Sequence, residues 1–327
     1  MSALLEVRGL SVEIVARRRR LTAIADVSFE IAAGEILGVV GESGAGKSVT
    51  GTAVLGLLEP PARQAAGEIV FAGRRIDTLG AEAMRALRGK EIAAVFQDPL
   101  TSLDPLMTIG AQLAETMLTH LPITRSEAQA RAERLLAEVG IPAPRERLSA
   151  YPHELSGGMR QRVVLALAFC CEPRLIIADE PTTALDVSIQ AQILDLLRRM
   201  CRERGTAVML VTHDMGVIAE VADRVAVMYA GRVVEIGPTR ALIEAAGHPY
   251  TRGLMASIPS MRRRTAELMQ IPGAMPRPDA PVAGCAFHPR CARAFDRCAV
   301  ERPGSFQAGA SRVACWLADP ALAGAGA

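Results

Sequence analysis

The sequence predicts an α/β fold, a largely parallel sheet with helices on its faces, and three observations predict it. Short, continuously apolar runs recur at residues 36–40, 92–96, 175–178 and 208–211, as strands buried on both faces require. Helical periodicity lies between them, notably over 125–139 and 188–204, and alternating strands and helices close into a parallel sheet. Half of the 327 residues are hydrophobic and only 3% are aromatic, which fits an aliphatic interior.

The elements follow in order. Residues 4–14 and 25–31 alternate apolar and polar side chains, as half-buried strands do. The strand at 36–40 runs into a glycine-rich stretch and then a helical pattern over 48–58. A Ser-Gly-Gly at 156–158 opens a helix running to about residue 171, and two strands within 226–236 flank Ala230-Gly231, a hairpin signal. Past Pro259 prolines, arginines and four cysteines replace the periodic segments. A boundary is therefore expected near residue 259, with one domain over 1–258, its helical part about 98–170, and a small extension over 259–327. No internal repeat is found.

Bulk properties exclude several function classes. The formal net charge is +2, too near neutrality for an electrostatic case for nucleic acid. Arg17 to Arg20 read as a solvated basic loop, with a contact to nucleotide or anionic lipid as the alternative. The longest apolar run, 163–171, falls far short of the ~18 residues that span a bilayer, and the N-terminus lacks a signal-peptide pattern. The chain is expected inside the cell, reaching a membrane only through a partner.

The chemistry concentrates in a few motifs. Gly41-Glu42-Ser43-Gly44-Ala45-Gly46-Lys47-Ser48 joins a strand to a helix, the context of a phosphate-binding loop. Inward N–H groups and the helix N-terminus hold an anion, Lys47 reaches the β- and γ-phosphates, and Ser48 holds Mg²⁺. The chain has two lysines, Lys47 and Lys90, against 35 arginines, so an ammonium here is a pointed choice. An apolar strand ends in Asp179-Glu180, where Asp179 orients Mg²⁺ and Glu180 polarises water. Ser156, Gly157 and Gly158 make a second anion cradle at a helix start. One chain has no use for two cradles on one nucleotide, so the second is expected to cover the γ-phosphate held by another subunit.

With Leu155-Ser156-Gly157-Gly158-Met159-Arg160-Gln161 in place, the chain resembles the ATP-binding subunits of ABC transporters. The phosphate loop, the Phe96-Gln97-Asp98-Pro99 segment, the signature, Asp179-Glu180, Ala184-Leu185-Asp186 and Val211-Thr212-His213-Asp214 stand in family order over residues 4–258. The resemblance implies a P-loop NTPase with a mixed sheet, an antiparallel β subdomain and a helical subdomain. It implies ATP and Mg²⁺ as cofactors and that Gln97 touches the Mg²⁺. By the same resemblance Glu180 and His213 act in hydrolysis, Ser156, Gly157, Gly158 and Gln161 act in trans, and Asp186 links two sites across a dimer. The family's adenine-stacking aromatic is missing near Leu21; Leu21 packing or the Arg20 guanidinium plane is expected in its place.

The segment Phe96 to Pro105, His248-Pro249-Tyr250-Thr251 and the tail Gly284-Cys285-Ala286-Phe287-His288-Pro289-Arg290-Cys291 resemble the oligopeptide/dipeptide (and nickel) importer branch. That resemblance implies two permease subunits, a second ATPase subunit, an extracytoplasmic solute-binding protein and a place on the cytoplasmic face of the membrane. Cys285, Cys291, Cys298 and Cys315 have no common zinc-ribbon or ferredoxin spacing. The branch implies a [4Fe–4S] cluster on these four, with zinc or no metal as alternatives. Cys170, Cys171 and Cys201 read as buried small hydrophobes. A soluble ABC-type ATPase of translation or DNA maintenance is the alternative function. The single cassette and the 109 positions from Lys47 to Ser156, too few for an inserted coiled coil, weigh against it.

Overall fold

The computed structural model describes residues 3–16, 19–183, 185–257 and 271–323. Arg17 and Arg18 of the basic run, Ala184 and the expected boundary near residue 259 lie outside them. Twelve strands are present among the described residues: β1 Ala3–Ala16, β2 Arg19–Ala32, β3 Ile36–Val40, β4 Ala62–Phe71, β5 Arg74–Arg75, β6 Ile92–Val95, β7 Leu175–Asp179, β8 Ala207–Thr212, β9 Arg224–Tyr229, β10 Arg232–Pro238, β11 Phe306–Ala308 and β12 Ser311–Val313. Every residue of β3 and β8 is buried, which is why these strands lack polar alternation.

The chain forms two compact units, the first from Met1–Leu4, Ile31–Ile36 and Thr78–Leu210, the second from Leu5–Glu30, Leu37–Asp77 and Val211–Ala327. In the first, β6 runs parallel to β7 with Val95 beside Ala178, and β8 lies on the other side of β7. Helices Ile109–His120, Arg125–Glu138, Gly157–Phe169 and Val187–Arg204 accompany them. Thr124 and Glu127 close a reciprocal cap at one helix start. Gly205, at φ +65°, ends the helix Val187–Arg204, whose inner stripe buries Ile193, Leu194, Leu197 and Met200.

In the second unit the order β2-β1-β4-β5 makes the expected antiparallel sheet, with Leu5 opposite Phe71 and Val7 opposite Ile69. A second set of strands runs β11-β12-β10-β9-β3. There β3 and β9 are parallel, Val39 beside Ala226, and β9 and β10 form the hairpin. Its turn residues Ala230 and Gly231 have φ of +46° and +76°, the left-handed pair that matches strand twist. β12 pairs antiparallel with β10, Glu235 opposite Val313, so the cysteine-bearing segment supplies edge strands. The helix expected over 48–58 is shorter, Lys47–Val54, because Gly56 turns left-handed at φ +63°. Among the described residues no helix is long and apolar enough to cross a membrane.

Candidate functional site

The second unit carries the phosphate loop, between β3 and the helix Lys47–Val54. Two glycines are dictated by space. A Cβ at Gly41 would lie 2.2 Å from the Met228 carbonyl oxygen, and one at Gly46 would lie 2.4 Å from Ile24 Cγ2 at a φ of +100°. Gly46 is the helix N-cap and offers no capping side chain, an arrangement that suits an external anion. Lys47 is only 6% exposed. Its Nζ donates to the Gly41 and Glu42 carbonyl oxygens at 2.8 and 3.0 Å, which holds the ammonium across the loop. Ser43, Gly44 and Ser48 are exposed, and Ala45 is buried.

Glu42, expected among the ATP-binding residues, is tied elsewhere as well. Its N–H donates to Tyr250 Oη at 2.9 Å, and both carboxylate oxygens lie 3.0 Å from Arg290 Nη1. Burial pushes the Tyr250 hydroxyl above the usual phenol range. Beside Gly44 opens a cavity of about 700 Å³, lined by Arg20, Leu21 and Arg232 among others, with no aromatic ring in its described lining. Arg232 is held below the usual guanidinium range by burial and by the charge of Arg302; an anion bound there would offset the repulsion between the two guanidinium groups. His213 sits exposed just beyond β8. There the Asp214 N–H donates to Thr212 Oγ1 at 3.1 Å, and Asp214 Oδ1 accepts from Gly216 N–H at 2.7 Å.

The first unit carries the acidic residues. Pairing of Val95 with Ala178 places Gln97 and Glu180 just past the ends of neighbouring parallel strands, and Gln97 Nε2 donates to Glu180 Oε2 at 3.2 Å. Thr183 Oγ1 donates to the same oxygen at 2.9 Å, a partner that sequence reasoning missed. Glu180 also has φ +48°, a conformation non-glycine residues adopt at a cost of ~1–3 kcal/mol. Asp179 is half-buried at the end of β7.

In the signature, Ser156 caps its helix, its Oγ accepting from Met159 N–H at 3.3 Å. Ser156 and Gly157 are exposed, whereas Gln161 is 1% exposed and its Nε2 lacks a partner among the described residues. Gln161 therefore faces the interior. Gly158 is close to the helix Val187–Arg204: a Cβ there would lie 3.0 Å from Ile189 Cγ2. Asp186 caps that helix, accepting from Ile189 N–H and Ser188 Oγ at 3.0 and 2.7 Å. Those hydrogen bonds, the Ile189 amide first, hold its carboxyl below the usual range.

Cys285, Cys291, Cys298 and Cys315 line one small cavity with His248, His288 and Trp316. Among the described residues, however, no group of three or more His, Cys, Asp or Glu side chains is disposed to hold a metal ion. The geometry thus does not support the cluster that the resemblance implies. Burial pushes the Cys285 and Cys291 thiols up, and that of Cys315 to about 11. Cys201, in the helix Val187–Arg204, is likewise buried, its thiol pushed up to about 12, and Cys170 and Cys171 are buried too.

Residues 24–183 match the ABC transporter family, and residues 234–298 match the oligopeptide/dipeptide transporter C-terminal region. The dipeptide transport ATP-binding protein DppD of Bacillus subtilis is 45% identical over 98% of this chain and 96% of its own length. The oligopeptide transport ATP-binding protein OppD of Salmonella typhimurium is 46% identical over 91% of this chain and 88% of its own. Among solved structures, a dimeric ATP-binding cassette in a post-hydrolysis state with ADP and Pi superposes with a TM-score of 0.65 at 26% identity. That match covers 72% of this chain and 99% of the other. With identity at this level over nearly its whole length, the chain belongs to the ATP-binding proteins of the oligopeptide/dipeptide ABC transporter family.

Proposed function

We propose that the chain binds and hydrolyses ATP to energise peptide uptake through two permease subunits. The observation that carries this is the phosphate loop: a buried lysine amine on the loop's own carbonyls, at a glycine-capped helix start. The triphosphate lies against Gly41 to Ser48, and Glu180 accepts the proton of the attacking water, with His213 beside the γ-phosphate. Gln97 and Thr183 aim the carboxylate. Mg²⁺ falls to Ser48, Gln97 and Asp179, all of which offer the oxygen donors a hard divalent cation takes; when bound, it neutralises charge on the phosphates. In an ATP-closed dimer, with itself or a homologous ATPase chain, the exposed Ser156 and Gly157 of one copy cover the γ-phosphate held by the other. Asp186 links the two sites, and an extracytoplasmic solute-binding protein delivers cargo to a complex whose ATPases sit on the cytoplasmic face.

The test is Glu180→Gln. Loss of a general base costs a factor of ~10² to 10⁴, so turnover should fall at least a hundredfold. ATP should then trap a dimer visible by size exclusion. Rapid turnover by that variant would reject Glu180 as the base.

The narrower reading of a [4Fe–4S] cluster rests on the family resemblance and the cavity shared by four thiols. Iron and acid-labile sulfide in anaerobically purified protein would support it. Their absence would leave the cysteines as packing residues.

A further inference from the structure

The geometry points to the C-terminal extension as a wall of the nucleotide groove, with Arg277 a specificity-determining contact to the nucleoside. This inference rests on reading the groove beside Gly44 as the ATP site.

Three observations carry it. The first is a latch. The Arg290 side chain, 7% exposed, sets Nη1 3.0 Å from both Glu42 oxygens and 3.3 Å from Tyr229 Oη. Its Nε and Nη2 donate to the Pro272 and Ile271 carbonyl oxygens at 2.8 and 3.3 Å. A single guanidinium thereby joins the phosphate loop, the β9–β10 hairpin and the first described residues of the extension. The second is close packing at the loop itself. Met275 Sδ accepts from the Ala230 N–H at 3.4 Å, and its Cε lies 3.3 Å from where a Cβ on Gly44 would stand.

The third is the composition of the stretch beyond Met275. Pro276, Arg277, Pro278, Pro281 and Val282 share the lining of the groove with Arg20, Leu21 and Gly44. Prolines fix this stretch at little entropic cost. Because the described lining holds no aromatic ring, the flat surfaces left for a base are proline rings and guanidinium planes. A planar guanidinium stacks on an aromatic face such as a base. Arg19, Arg20, Arg232, Arg277 and Arg302 line the groove, so guanidinium planes are the flat groups most available to a base. The ligand chemistry is a nucleoside triphosphate whose phosphates belong to the Gly41 loop and whose nucleoside meets the extension.

The test uses the full chain and two probes, ATP and inorganic tripolyphosphate, titrated by calorimetry. Arg277 is exposed, so Arg277→Ala should fold and melt as the parent does. Base stacking on a side chain is worth about tenfold in affinity. Arg277→Ala should therefore weaken ATP about tenfold and leave tripolyphosphate unchanged. Unchanged ATP affinity, or equal weakening of both probes, overturns the inference. Lys47→Ala tests the underlying reading separately: it should weaken both probes, and if it weakens neither the groove is not the triphosphate site.

Discussion

His248 shows how far one side chain can be committed to structure. It is 1% exposed, its Nδ1 accepts from Tyr250 N–H at 3.0 Å, and burial pushes its pKa down to about 3. The unfolded chain takes up a proton near pH 6.5 that the folded chain refuses. Stability is therefore lost as pH falls through 6.5 toward 3. Denaturant melts at pH 7 and pH 5.5 should differ by about 1 kcal/mol from this residue, and His248→Asn should flatten the difference. Its neighbour Glu235 is fully buried and accepts from the Gly247 and His248 N–H groups at 2.7 and 2.9 Å. Glu235→Gln puts an amide donor against one of those donors and should cost about 1–3 kcal/mol in the same melts. The sequence displayed the acid and nucleotide-loop residues, because their chemistry is local and their order fixed. It did not display Arg290, one of 35 arginines, whose partner Glu42 lies 248 positions away.

At the scale of elements, apolar runs identified β3, β6, β7 and β8 to within a residue or two, since burial on both faces leaves a run without polar interruption. The pairing of β12 with β10 was not legible, as three-residue strands carry no periodicity. Space between elements is equally silent in sequence. Gly38, in the middle of β3, faces the helix Met215–Val221, and a Cβ there would lie 2.6 Å from Ile218 Cδ1 and 2.9 Å from its Cγ2. Gly38→Ala should destabilise the fold by about 1–3 kcal/mol through overpacking. Adding Ile218→Ala should recover part of that loss, and a thermal-melt double-mutant cycle measures it.

For the whole molecule, the proposed sharing of each site between two copies makes activity a property of concentration. Specific ATPase turnover should fall on dilution to isolated protomers. Ser156→Gly isolates the trans contact: glycine caps a helix nearly as well as serine, within a few tenths of a kcal/mol, yet lacks the hydroxyl. Melting should stay close to the parent while turnover at saturating protein drops about tenfold or more. Constant turnover on dilution, or an active Ser156→Gly, would argue for a self-contained protomer.

The burial of Lys47 has a practical corollary. With only two lysines in the chain and the loop amine 6% exposed, Lys90 is the one side-chain ε-amine open to water. Acylating dyes, biotin esters and bifunctional cross-linkers, run under conditions that spare the α-amine, will mark a single known spot on the native protein. Tethering or distance measurements are thus available without engineering a handle.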